Sequence, residues 1–105
     1  MIRFYLQKLV RDKVVKKCLD DEEVLHTEYH TLDKQEFRRE LLRKVHEEAD
    51  EIPLDDNQRD ESLKELADLQ EVFDALRQDF GFSIEQVQEE MARKKQDKGG
   101  FDKRH

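Results

Sequence analysis

Tryptophan is absent, and the 105 residues include one proline, one cysteine and three glycines. So little punctuation leaves few places for tight turns, which favours long helices. The single cysteine, Cys18, excludes an internal disulfide, and nothing around it has the Cys/His spacing of a zinc site. It reads as an ordinary, partly buried thiol. No apolar run approaches the roughly 20 residues of a spanning helix, and the opening MIRFYLQKLVRDK lacks the apolar core of a signal peptide. A cytoplasmic protein with no membrane partner is expected. Positive charge is also in deficit: 20 Lys and Arg face 27 Asp and Glu, a net charge of −7 that disfavours general affinity for nucleic acid. Hydrophobic residues make up 35% against 45% charged, so the core is thin and a second subunit is expected to complete part of it.

What is present is helical periodicity, and the length suits one domain over 1–105. Asp33 and Glu36 form a D-x-x-E cap, and Phe37, Leu41, Val45 and Ile52 recur at helical spacing up to Pro53, which predicts a helix over 34–52. After the polar LDDNQRDES, with Asn57 as the expected N-cap, Leu63, Leu66, Leu69, Val72, Phe73, Leu76 and Phe80 mark a second long helix that stops at Gly81. Ser83 and Gln86 make a capping box for a third, carrying Ile84, Val87 and Met91 to about Gln96. Upstream, KLVRDKVVKKCL reads as a further helix, and the β-branched and aromatic residues near 24–31 predict one short extended segment. The expected fold is mainly α, an antiparallel helical bundle.

Unrolling these helices exposes a conflict. With Phe37 at zero and about 100° per residue, Leu41, Ile52 and Val45 fall at about 40°, 60° and 80°, and Glu48 falls among them at about 20°. Glu51 and Lys44 border that stripe, Glu47 lies further out, and His46 and Asp50 face the opposite way. On the second helix Glu65 and Asp68 are embedded in an apolar arc, with Lys64, Glu71, Asp74 and Arg77 on the polar side. An ionised carboxylate against apolar neighbours costs several kcal/mol unless a cation or a proton joins it. Residues three apart share a helix face, so E-x-x-E (Glu48, Glu51) and E-x-x-D (Glu65, Asp68) each present two carboxylates to one ion. Oxygen-only ligands suit a hard cation, Mg²⁺ or Mn²⁺, rather than zinc. A solvated acidic face is the competing reading in so charged a chain. HEEAD is not H-E-x-x-H, and the single E-x-x-H at Glu23 and His26 lacks the second copy that a di-iron bundle needs.

KVHEEADE followed by ELADLQEVFDAL resembles the MazG-like, all-α nucleoside triphosphate pyrophosphohydrolases, whose E-E-x-x-E…E-x-x-D pattern is present in Glu47, Glu48, Glu51, Glu65 and Asp68. KLVRDK and KGGFDKR look like the ends of a subgroup described as phosphoribosyl-ATP pyrophosphohydrolase-like, or house-cleaning, so the resemblance covers nearly the whole chain. The chain departs from these relatives at Val14 and Val15, where a proline is frequent, and at Lys98, where arginine is usual; both departures bear on substrate choice more than on metal binding. The resemblance implies Mg²⁺-dependent cleavage of an α–β phosphoanhydride to a nucleoside monophosphate and pyrophosphate, in nucleotide-pool clean-up. Metal ligands would be Glu48, Glu51, Glu65 and Asp68, with Glu47 and Glu48 as the catalytic carboxylates. Lys8, Arg11, Lys13, Lys44, Lys98, Gly99, Gly100, Lys103 and Arg104 are the candidates for holding phosphate. A dimer or tetramer is expected. Two other classes remain open from sequence: a helical interaction module without catalysis, and a nucleotide or metal sensor without turnover.

Overall fold

The computed structural model describes residues 8–21 and 31–105. Its helices are α1 (Asp12–Asp20), α2 (Lys34–Asp50), α3 (Arg59–Phe80) and α4 (Ile84–Lys98), with a 3-10 turn at Asp56–Gln58 before α3. No strand occurs among the described residues, and the extended segment expected near 24–31 lies outside them, apart from Thr31. No described helix is long and apolar enough to cross a membrane.

Local chemistry sets the boundaries. The Asp33 side chain accepts from the Glu36 N–H at 2.8 Å, satisfying one of the free donors at the start of α2. The helix stops at Asp50, just ahead of Pro53. Asn57 does not cap α3. Asp55 does the work one turn earlier, accepting from the Asn57 N–H at 3.0 Å and opening the 3-10 turn that leads into the helix. At the far end Gly81 takes φ 80°, the left-handed region that glycine enters without a Cβ penalty. The Phe82 N–H then reaches the Arg77 carbonyl and the Gly81 N–H that of Gln78, closing α3 with a Schellman motif. Arg77 was expected on the polar face. Its side chain is instead folded in, donating to the Phe82 carbonyl at 2.7 Å and bracing the turn into α4. The Ser83–Gln86 capping box forms as expected, and α4 runs on to Lys98.

The helix pair α2–α3 is the packed unit; no other pair of helices makes comparable contact among the described residues. It is antiparallel. Arg38 near the start of α2 pairs with Asp79 near the end of α3 at 2.6 Å and lies over the Phe80 ring at 3.9 Å, while Glu48 and Glu65 meet at the opposite end. Leu41 is the one buried hydrophobic side chain among the described residues. Leu63, Leu66, Phe73 and Phe80 form an exposed stripe along α3, and Ile84 and Met91 are exposed on α4. Among the described residues the helices therefore make an antiparallel pair, with apolar faces on α3 and α4 that no other described helix covers.

Candidate metal centre

The acid-rich end of α2 faces the first turns of α3. Glu48 is buried at 8% exposure, in keeping with its position inside the apolar stripe, whereas Asp50 and His46 are exposed. One carboxylate oxygen from each of Glu48, Glu65 and Asp68 lies within 4.8 Å of the others. A hard ion with bonds of about 2.1 Å holds its oxygens roughly 3–4 Å apart, so small rotamer adjustments bring the three into range. Oε2 of Glu65 is closed off from water and has no hydrogen-bond partner. Partial burial first, then the charges of Glu51 and Asp68, raise the Glu65 pKa above its ordinary value. A buried oxygen without a partner, among like charges, fits a missing positive charge better than a solvated face does.

Cations surround the acids. Lys44, one turn before Glu48 on α2, stands 3.5 Å from Glu48 and 3.9 Å from Glu47. Lys8 donates to Glu47 at 2.9 Å, and Arg11 donates to Asp68 at 2.8 Å. Residues 8–11 were expected to begin a helix; they precede it, and this lets Lys8 and Arg11 reach across to both acidic helices. The bond from Lys8 is the main reason that the Glu47 pKa is lowered. Glu51, expected as a fourth ligand, caps the end of α2 in an exposed position outside the cluster of three, yet its charge contributes to the raised pKa of Glu65.

The other phosphate-binding candidates are not brought here. Lys13 is exposed on α1 and forms no ion pair with the cluster among the described residues. Lys98, Lys103 and Arg104 sit at the far end of α4, which does not pack on the acidic end of α2–α3. Gly99 has φ 81° where α4 ends, a structural reason for glycine, and a Cβ at Gly100 would meet only ordinary contacts at 3.5 Å or more. Sequence reasoning missed the Arg38–Asp79 clamp, because 41 residues separate its partners and neither breaks the helical pattern. Comparison with known proteins finds no match: no family model, no curated protein and no solved structure aligns with the chain.

Proposed function

We propose that the protein is a Mg²⁺-dependent nucleoside triphosphate pyrophosphohydrolase of the MazG-like kind, acting in cytoplasmic nucleotide clean-up. One observation carries this reading: Glu48, Glu65 and Asp68 converge from two helices around an unpartnered buried oxygen, with Lys8, Arg11 and Lys44 at the rim. Carboxylates repel a triphosphate, so acids and cations at one site make sense together where a divalent ion stands between them. When bound, such an ion would supply Lewis-acid chemistry, offsetting phosphate charge and making water more acidic.

The chain's own groups supply the rest. Glu48, Glu65 and Asp68 would hold the ion, with Glu51 as the next carboxylate. Lys8, Arg11 and Lys44 exchange their carboxylate partners for phosphate oxygens as substrate arrives, which keeps the local charge balanced. Glu47, ionised beside Lys8 before substrate arrives and released by that exchange, orients the attacking water and accepts its proton. The water oxygen bonds to phosphorus, the anhydride P–O bond breaks, and pyrophosphate leaves with those electrons.

Pyrophosphate release from a panel of nucleoside triphosphates with Mg²⁺ or Mn²⁺ tests the reading. Turnover with at least one nucleotide, lost by 100-fold or more in Glu48→Gln with helicity retained, is expected. Release unchanged in Glu48→Gln contradicts it, and nucleotide binding without release would make the protein a sensor.

A further inference from the structure

Arg11 stands at the N-cap of α1, where its backbone is extended at φ −65° and ψ 153°. Its carbonyl serves the helix, accepting from the Val14 N–H at 3.0 Å, but its side chain makes no cap bond. The guanidinium turns away from α1 and donates from Nη2 to Oδ1 of Asp68 at 2.8 Å, a partner 57 residues along the chain. Helix α1 thus needs the Arg11 backbone and leaves its side chain to α3.

The three cations at the rim are not equivalent. Lys44 rises from α2 itself and approaches Glu48 at 3.5 Å and Glu47 at 3.9 Å, beyond ordinary hydrogen-bond length. Lys8 is hydrogen-bonded, but to Glu47, which lies outside the converging three. Among the described cations, Arg11 is the one that donates a hydrogen bond to a member of that three. A divalent ion drawn to Glu48, Glu65 and Asp68 therefore meets a positive charge already seated on one of its ligands. The seat is a light one. The Arg11 side chain is 60% and the Asp68 side chain 43% exposed, and ion pairs so open to water contribute little to stability.

We propose that Arg11 competes with the divalent cation for Asp68, so that the ion, on binding, releases the guanidinium for phosphate. Two positive groups that draw on one carboxylate are antagonists, and by linkage each weakens the hold of the other by the same factor. A doubly charged ion with three carboxylates prevails over a singly charged group with one. For Arg11, the exchange of carboxylate for phosphate then begins with the ion and ahead of the nucleotide. The fork of donors comes free beside the ion, where a polyphosphate brings its charge, and the site completes its anion-binding edge after its metal. This inference rests on the cation-site reading above and adds to it an order of events.

The test compares Mn²⁺ affinity, read by electron paramagnetic resonance, in the full-length wild type, Arg11→Gln and Lys8→Gln. Helicity should be unchanged in Arg11→Gln, since the side chain makes no cap bond. Arg11→Gln should bind Mn²⁺ at least about fivefold more tightly than wild type, the lower end of ordinary coupling between two ligands. Lys8→Gln should tighten binding by no more than about twofold, the field of one screened charge. A second measurement needs no substitution: in a ¹⁵N-labelled wild type, the Arg11 guanidinium resonance should move to that of a free, water-exposed arginine as Mg²⁺ is added. Affinity that is unchanged or weaker in Arg11→Gln overturns the proposal, as does equal tightening in Lys8→Gln or a guanidinium resonance that Mg²⁺ leaves in place. Equal Mn²⁺ binding by wild type and Arg11→Gln defeats the competition alone and leaves the cation site standing, whereas no binding by any of the three chains defeats both.

Discussion

A carboxyl oxygen closed off from water and lacking a donor leaves its group two stable options, a bound cation or a retained proton. Glu65 is in that position, and its raised pKa follows. Because the folded pKa lies above the unfolded value of about 4.3, the native state binds this proton more tightly than the unfolded chain does. The resulting stability is fully present below about pH 4 and is lost as pH rises through the folded pKa. Glu65→Gln should therefore melt higher than wild type at pH 7 in chelator, and the difference should shrink as pH falls toward 4. Adding Mg²⁺ should raise the wild-type melting temperature and leave Glu65→Gln nearly unmoved; thermal scans at several pH values check both. Glu47 has the opposite sign. Its pKa is lowered, chiefly by Lys8, so its contribution is present above about 4.3 and is lost as pH falls through the folded value. Lys8→Ala should remove that acid-range dependence, and with it the alkaline loss of stability that the raised Lys8 pKa gives the wild type, since Glu47 raises Lys8 as Lys8 lowers Glu47.

At the scale of elements, the boundaries rest on a few polar contacts. Ser83→Ala removes the side-chain acceptor of the α4 capping box, at a cost of about 1 kcal/mol. Amide exchange over 84–98 should then quicken about fivefold, with α2 and α3 unaffected, because a cap acts on its own helix. Gly81→Ala forces a Cβ into left-handed backbone and should cost about 1–2 kcal/mol in chemical denaturation. Arg38→Ala strips Asp79 of its hydrogen bonds and should cost about 2 kcal/mol by the same measurement. The helices themselves were legible: the caps at Asp33 and Ser83 and the stop at Gly81 are short-range signals whose partners lie within three or four residues. Asn57 and Arg77 were misread for a common reason. Each lies at a helix end, where the turn chemistry of Asp55 and Phe82 overrides the angular pattern of the helix interior.

Over the whole molecule, the site is written in two kinds of signal. Glu48, Glu65 and Asp68 were visible in the sequence because a carboxylate inside an apolar stripe contradicts its helix, and the structure gathers those three. Their cationic surroundings were visible only in part. Lys44 follows from helix spacing, but Lys8 lies 39 residues from Glu47 and Arg11 lies 57 from Asp68, so only the folded chain shows which acid each one meets. The placement of α4 likewise depends on packing that periodicity does not encode. A thin core was expected from composition; that α4 would stand apart from α2–α3 was not. Everything functional turns on whether the three acids bind a cation, and Mn²⁺ titration followed by electron paramagnetic resonance measures this without turnover or substrate. Saturable binding by wild type, weakened at least tenfold in Glu48→Gln and in Asp68→Asn, is the predicted result; no saturable binding, or binding that both variants leave unchanged, contradicts the account.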